Sequence, residues 1–423
     1  MAQARNRLHA NQIAGLAAAI AEVGTLQFPA DAMLHHYFRA HREMGQQDRA
    51  FVSEGVFAYL RRRRSLQVLA QSDDPRKLAL ALLVRDFHVS VRDVEPLINN
   101  PEAGWLAAFK SRVHETLEPA VAADVPDWLW DRLGAAYGDA QRAAYVLAWQ
   151  SPAPLDLRVN PAKISRDDAL AHLRTHDFDA TPTPYSPLGI RVEGRPPLTR
   201  EPLFEDGSLE IQDEGSQLIG YAMAPRRGEM VADFCAGAGG KTLLLGALMR
   251  SSGRLYAFDV VDKRLANLKP RLARSGLSNV HPQLLTSERD PRVKRLAGKL
   301  DRVLVDAPCT GFGTLRRNPD LKWRQTEHDL AELVVKQAAI LASAATLVKP
   351  GGRLVYATCS VLPDENDAIV DAFLAAHPQF RNGDVAAEFV RAKIALDTGP
   401  RLRVSPQQHG CDGFFGAILE RSA

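Results

Sequence analysis

The stretch Met230-Val-Ala-Asp-Phe-Cys-Ala-Gly-Ala-Gly-Gly-Lys-Thr242, continued by Leu243–Met249, decides the fold of this chain. Met230–Phe234 is an apolar run of strand length, and Leu243–Met249 has the composition of a buried helix. The glycines between them allow a sharp turn and a close approach of the backbone to a ligand. This strand, loop and helix predict the opening unit of a doubly wound α/β sheet.

The loop itself limits which ligand it can bind. Its Gly-Lys-Thr ending suggests a phosphate loop, but the glycine required five residues before Gly240 is Cys235, so the spacing excludes a Walker loop. The dinucleotide fingerprint is also imperfect. A second predicted strand ends at Asp259, and an acid there suits the two ribose hydroxyls of an adenosyl group. We therefore favour S-adenosylmethionine as ligand, with a purely structural turn as the alternative.

Three regions follow one another along the 423 residues. Residues 1–150 have apolar positions at helical spacing and predict an all-helical domain. Residues 151–216 mix short strands with one capped helix and predict a small α+β module. Residues 217–423 alternate strands with helices, which predicts a doubly wound sheet with ligands at the carboxyl ends of its strands.

The bulk composition narrows the class of protein. The hydrophobic fraction is 46% and the net charge only +3, so a nucleic-acid surface must be local. The four cysteines show no Cys-x-x-Cys spacing, which argues against a disulfide scaffold and a zinc site, so we expect no metal. Because the first residues lack a signal-peptide pattern and the next helix is too short and polar to span a membrane, we expect a cytoplasmic protein.

Two cysteines lie where predicted strands end. Cys309 follows Asp306-Ala-Pro, and Cys359 stands in Thr358-Cys-Ser360. A lone cysteine is commonly a small buried apolar residue, but two on the ligand edge of one sheet favour chemistry. A thiolate that adds to carbon 6 of a pyrimidine makes carbon 5 nucleophilic enough to accept a sulfonium methyl group, and Asp306 suits the N3 edge of the base. Spacing alone leaves the roles of the two cysteines open.

These motifs resemble the RsmB (Sun)-type RNA 5-methylcytosine methyltransferases of bacteria. The helical first third is similar to the NusB-like RNA-binding domain of RsmB. Further segments similar to the family are Leu157-Arg-Val-Asn160, Phe204-Glu-Asp-Gly207, Ile211-Gln-Asp-Glu-Gly-Ser-Gln217 and Gly413-Phe-Phe415. The resemblance implies a class I methyltransferase Rossmann-like sheet, preceded by a small RNA-binding α+β module and the helical domain.

The resemblance also assigns roles to residues. It implies that Cys359 is the nucleophile, that Cys309 assists product release, and that the substrate is a cytosine in small-subunit ribosomal RNA. The cofactor contacts that it implies are Cys235, Ala236, Gly237, Ala238, Gly239, Gly240, Lys241, Asp259 and Asp306. Two positions depart from the family pattern: Ala238 replaces a proline, and Ser287 replaces the aspartate that holds the adenine amino group. We expect weaker or rearranged adenine recognition.

A cationic stretch follows the Cys309 motif. Its candidate RNA contacts, for phosphate binding and base stacking, are Arg316, Arg317, Lys322, Trp323 and Arg324. An ordinary charged surface loop is the alternative. For the whole chain, which we expect to be a monomer, an RNA-binding ribosome-assembly factor with little methyl transfer is the competing hypothesis. A small-molecule methyltransferase would leave the paired cysteines and the helical domain unexplained.

Overall fold

The structure is a computed structural model, and it describes residues 8–194 and 196–423. The prediction about a signal peptide concerns the first residues of the chain, which lie outside this range. The chain forms two compact units, each with its own apolar core. One consists of the chain up to Pro152 together with Leu315–Thr326, and the other of Ala153–Thr314 with Glu327–Ala423.

The first unit is helical, as its apolar spacing predicts. Local signals mark where its helices begin: Asp74 accepts a hydrogen bond from the Lys77 amide, and Asn99 forms a capping box with Glu102. The last helix is broken at Gly138, whose φ is +72°. The helices are α1 (Ala10–Val23), α2 (Ala30–Ala40), α3 (Gln46–Ala70), α4 (Pro75–Arg85), α5 (Val91–Val94), α6 (Asn100–Arg112), α7 (Pro119–Ala122) and α8 (Asp127–Trp149). None of the described helices of the chain is long and apolar enough to cross a membrane.

The second unit begins with a small α+β module, which confirms the predicted architecture. Its four strands pair antiparallel in the order β2-β3-β1-β4, and Ser165 caps its first helix by accepting from the Asp168 amide. Apolar side chains from both layers, such as Leu157, Leu173 and Ile190, form its core. The elements are β1 (Leu155–Val159), α9 (Arg166–Thr175), β2 (Ala180–Pro182), β3 (Gly189–Val192), α10 (Pro202–Glu205) and β4 (Leu209–Ile211).

The rest of the second unit is a Rossmann-like sheet, also as predicted. Its strands are β5 (Met230–Asp233), β6 (Arg254–Asp259), β7 (Val280–Leu284), β8 (Leu300–Asp306), β9 (Val348–Thr358), β10 (Phe380–Asn382), β11 (Arg401–Val404) and β12 (Phe414–Arg421). The remaining helices of the chain are α11 (Glu214–Met223), α12 (Gly240–Leu248), α13 (Asp262–Ser275), α14 (Pro291–Arg295), α15 (Leu321–Arg324), α16 (Glu327–Ala345), α17 (Asp367–Ala376), α18 (Val385–Arg391) and α19 (Pro406–His409).

The order of the strands determines where the sheet can bind a ligand. It runs β10-β12-β9-β8-β5-β6-β7, with β5 to β9 parallel, β12 antiparallel, and β11 paired to β12. The chain winds outward from β5 to β7 and then returns to β8 on the other side of β5. The strand order therefore reverses between β5 and β8, which is where an open α/β sheet binds its ligands.

The segment Leu315–Thr326, which includes α15, packs in the helical unit rather than with the sheet that precedes and follows it in sequence. The Trp323 indole N–H donates to the Leu60 carbonyl at 2.6 Å, and the Lys322 ammonium donates to the Arg61 carbonyl at 3.0 Å. Asp320 accepts a hydrogen bond from the Ala30 amide. These contacts join residues 261 to 290 positions apart, so no local sequence pattern predicts them.

Candidate active site

The loop between β5 and α12 adopts a conformation that requires glycine. Gly237 and Gly239 have φ values of +56° and +86°, in the left-handed region that other residues rarely adopt. A Cβ on Gly239 would lie 2.1 Å from Cδ1 of Leu268, whereas a Cβ on Gly237 would meet nothing within 4 Å. The Gly237 amide donates to Oδ2 of Asp259 at 2.9 Å. The loop thus borders open space beside a buried carboxylate at the end of β6.

Arginine side chains hold two carbonyl groups of this loop. Arg271 donates to the Ala238 carbonyl at 2.6 Å and is paired with the buried Glu210 at 2.8 Å. Arg158, from the α+β module, donates to the Gly240 carbonyl at 2.6 Å. Burial lowers the pKa of Arg158 to about 10, which still leaves its guanidinium charged at neutral pH. Ala238 stands where the family pattern has a more rigid proline. These charge-assisted hydrogen bonds restrain the loop at that position.

Lys241 connects the loop to the end of β8. Its ammonium donates to Oδ2 of Asp306 at 2.9 Å, and both residues belong to the predicted site. Burial, the largest influence, lowers the pKa of Lys241, but its interactions with Asp306 and Cys359 raise it above its ordinary value. Lys241 therefore joins the cofactor loop to the end of β8, a role that the sequence did not reveal.

The two cysteines meet at the ends of β8 and β9. Their Sγ atoms lie 3.4 Å apart, and both side chains are partly buried. The hydrogen bond with Cys359, reinforced by burial, raises the pKa of Cys309 well above its ordinary value. The Gly313 amide also donates to the Cys359 carbonyl at 2.8 Å, so the two loops are joined through the backbone. A single base can therefore contact both sulfur atoms.

The structure places the other predicted residues as follows. Cys235, two residues beyond the end of β5, has a pKa raised well above its ordinary value, first by burial and then by neighbouring carboxylates. Ser287 lies three residues beyond β7, where its hydroxyl accepts from the Arg289 amide and so serves a local turn. Its predicted contact with adenine stays a prediction.

The predicted RNA-binding residues belong to the helical unit, and burial excludes part of that prediction. Lys322 is 2% exposed, and its ammonium is engaged by a backbone carbonyl, so phosphate contact by this side chain is wrong. Trp323 is partly buried against the helical core and its indole N–H is engaged, and base stacking on its ring stays a prediction. Arg316 is 7% exposed. Arg317 and Arg324 are partly exposed.

Glu365 is a further residue of the site that the sequence did not single out. Its carboxylate is fully buried and accepts hydrogen bonds beside both cysteines. In the sequence it reads as the polar start of a helix. Its position six residues after Cys359 was the one local sign that it belongs to the site. Its hydrogen-bond partner Thr310 lies 55 positions away in the sequence, so the contact could not be predicted.

One group of side chains outside the sheet could hold a metal ion. The ligand atoms of His172, His176 and Glu201 lie within 4.8 Å of one another, although the sequence predicted no metal. His172 already contacts Glu201 at 2.7 Å, and Glu201 caps α10. These contacts give the group a structural role in the α+β module.

Comparisons with known proteins agree with this geometry. Residues 220–420 match the family described as 16S rRNA methyltransferase RsmB/F, and residues 125–199 match a Methyltr_RsmF/B-like, ferredoxin-like domain. The ribosomal RNA small subunit methyltransferase B of Sodalis glossinidius is 32% identical over 407 residues, which cover 89% of this chain and 90% of that protein. The chain belongs to the RsmB/F family.

Two other comparisons each cover about 70% of this chain. The probable ribosomal RNA small subunit methyltransferase B of Synechocystis is 35% identical over 299 residues, covering 70% of this chain and 67% of that protein. The crystal structure of a methyltransferase homolog protein from Pyrococcus horikoshii has a TM-score of 0.61 at 29% identity, covering 72% of this chain and all of that one (100%). S-adenosylmethionine is the cofactor of this family.

The residues of this chain fit that cofactor. Asp259 is 5% exposed, and both of its oxygens accept backbone amides, from Gly237 and Val261, which leaves further lone pairs for two ribose hydroxyls. The open space beside Gly237 gives the ligand room against the backbone. Asp259 and the loop Cys235–Lys241 would hold the adenosyl group and the amino-acid part.

Proposed function

We propose that this chain methylates carbon 5 of a cytosine in small-subunit ribosomal RNA through a covalent bond between Cys359 and carbon 6. The observation that supports this proposal most is the distance of 3.4 Å between the sulfur atoms of Cys309 and Cys359, at the ligand edge of a methyltransferase sheet. A protein that only bound RNA, without forming a covalent bond to a base, would not need two adjacent thiols. The relatives named for ribosomal RNA suggest the substrate, which would place the reaction in the cytoplasm.

In the proposed reaction, the Cys359 thiolate uses a lone pair to form the sulfur–carbon 6 bond, and the electrons of the 5,6 double bond make carbon 5 nucleophilic. Asp306 lies at the end of β8, where a proton held between its carboxyl and N3 would neutralise the charge that develops on the ring. S-adenosylmethionine supplies the methyl group.

Release of the product needs a base. After methylation, carbon 5 carries both a methyl group and a proton, and the aromatic ring re-forms only when that proton leaves. We assign its removal to the Cys309 thiolate. The carbon–hydrogen electron pair then restores the double bond, and Cys359 leaves carbon 6 as a thiolate.

Tritium transfer from labelled S-adenosylmethionine to precursor ribosomal RNA tests the proposal. We expect Cys359→Ala to abolish transfer, and Cys309→Ala to accumulate a protein–RNA adduct that survives a denaturing gel. Cys411→Ala, at a buried cysteine of the core, is the matched control and should retain transfer. Full transfer by Cys359→Ala would refute the assignment. Tight RNA binding by the unmodified chain without any transfer would instead favour the assembly-factor hypothesis.

The cytosine must be unpaired or flipped out of its helix, because stacking hides carbon 6. We propose that Arg317 and Arg324 contribute to RNA binding, since they remain partly exposed in the segment Leu315–Thr326. Lys322 is excluded by its burial, whereas Trp323 is partly exposed, as the two arginines are, and keeps its proposed stacking role.

A further inference from the structure

The carboxylate of Glu365 connects the two cysteine loops. Glu365 is 0% exposed. Its Oε1 accepts from the Thr310 amide at 2.8 Å, and its Oε2 accepts from the Thr310 hydroxyl at 2.5 Å and from the Ser360 hydroxyl. Thr310 directly follows Cys309, and Ser360 directly follows Cys359. One side chain therefore binds the immediate neighbours of both sulfur-bearing residues.

Glu365 is itself held in place. The Gln337 side-chain amide, from α16, donates to Oε1 of Glu365 and to the Pro308 carbonyl, both at 2.9 Å. The Tyr356 hydroxyl donates to the Glu365 carbonyl at 2.7 Å. Helix α16 and strand β9 thus fix both the side chain and the backbone of Glu365 in the core.

Glu365 is not buried in order to pair with a cation. The groups that donate to it are a backbone amide, two hydroxyls and a side-chain amide, all of them neutral. The pKa of Cys309 is raised mainly by its hydrogen bond with Cys359 and by burial, and Glu365 adds to this effect rather than opposing it. The contribution of Glu365 is therefore geometric, because one carboxyl group can accept several hydrogen bonds from two loops at once.

We propose that Glu365 is a positioning residue that keeps the Cys309 and Cys359 loops in register, so that both sulfur atoms reach one base. The proposal rests on the proposed function for its chemical purpose. Its physical content, the proximity of two thiols, can be measured without RNA or cofactor.

Two substitutions of Glu365 distinguish the effect of the side chain's length from the effect of its charge. Glu365→Gln keeps the length of the side chain. Its oxygen can still accept from Thr310 and Gln337, and its amide can donate to the two hydroxyls, which accept as well as donate. Glu365→Asp keeps the charge but is one methylene shorter and cannot span both loops. Glu214→Asp is the matched control, because Glu214 is equally buried and accepts backbone amides in the α+β module.

The measurement is the disulfide equilibrium between Cys309 and Cys359 in a glutathione redox buffer, read by peptide mass mapping of the full chain. Glutathione disulfide takes up the two electrons and two protons of the thiols. We expect Glu365→Gln to stay within about threefold of the unmodified protein, and Glu365→Asp to lower the effective concentration of the thiols by about tenfold or more. Glu214→Asp should leave this equilibrium unchanged.

Three outcomes would overturn the proposal: Glu365→Asp behaves like the unmodified protein, Glu365→Gln shows the larger loss, or Glu214→Asp shows an equal loss. If Glu365→Asp does not fold, Thr310→Val removes one hydroxyl donor at constant shape and should lower the same equilibrium by about threefold. An unchanged value would again contradict the proposal. Methyl transfer is measured in parallel, with kcat expected to fall for Glu365→Asp at a constant KM for RNA. A chain without transfer activity would refute the proposed function but leave the thiol measurement valid.

Discussion

The closest backbone approach in the candidate site involves Gly313, and Gly313→Ala tests whether the cysteine geometry limits the reaction. A Cβ on Gly313 would lie 2.0 Å from the Gly413 carbonyl oxygen and 2.8 Å from the Cys359 carbonyl oxygen. Real Cβ contacts are essentially never shorter than 3.0 Å, so the backbone must move by about 1 Å. The hydrogen bonds of 2.8 Å from Gly313 to Cys359 and from Gly413 to Gly313 would lengthen together.

A displacement of about 1 Å between reacting groups can lower a rate by about 100-fold. We therefore expect Gly313→Ala to lower single-turnover methyl transfer by about that factor, at saturating RNA and cofactor. The KM for S-adenosylmethionine should stay within about twofold, because the cofactor loop lies on a different strand. Thermal denaturation shows whether the variant is folded.

Gly104→Ala is the matched control. Gly104 lies in α6, and a Cβ there would meet nothing within 4 Å. Alanine in a helix is favoured over glycine by about 0.5–1 kcal/mol, so this variant should be slightly more stable and fully active. A folded Gly313→Ala protein with a rate within about threefold of the unmodified one would refute the argument that the loop contact sets the positions of the cysteines.

Three further outcomes follow from buried charges. Asp259→Asn should raise the Kd for S-adenosylmethionine by about tenfold in calorimetry, since a charged acceptor is lost, whereas Asp262→Asn, at an exposed position, should not change it. Burial raises the pKa of Asp233 to about 7, above its unfolded value of about 3.9, so its contribution to the free energy of unfolding falls as pH rises between those values. Asp233→Asn should therefore gain stability relative to the unmodified chain across that range in urea titrations. A constant difference would contradict this. Burial lowers the pKa of Lys322 to about 7, so the advantage of Lys322→Met in unfolding experiments should grow as pH falls from about 10 to about 7. Lys322→Met should also leave the salt dependence of RNA binding unchanged, and a weaker dependence would show that Lys322 reaches a phosphate.

The sequence predicted those parts of the site that local patterns determine. The apolar run at Met230 and the glycines after it determine a strand and a turn within about ten residues, and Asp259 and Asp306 end their strands as predicted. Because parallel strands end at one edge, the meeting of Cys309 and Cys359 also followed from their positions.

The parts that the sequence did not predict depend on partners far away in the chain. A cationic stretch such as Leu315–Thr326 has the composition of an exposed loop, yet Trp323 donates to a carbonyl 263 positions earlier. Glu365 looks like a solvated residue until Thr310 is placed beside it. Burial of a polar residue depends on which donors the tertiary fold supplies, and residue spacing carries no record of them.

The helical unit is discontinuous in sequence, which has a consequence for how the chain matures during synthesis. Trp323 is translated 173 residues after Gln150 (323 minus 150). At about 5–20 residues per second, roughly 10–35 s separate these two events. During that interval the apolar core of the first unit lacks the Trp323 side chain that packs against it, and the additional hydrogen bonds from Lys322 and Trp323 to the Arg61 and Leu60 carbonyls cannot form. A nascent chain therefore completes its first unit only after β5 to β8 of the second have been made, and a fragment cut after Trp149 would be an incomplete fold.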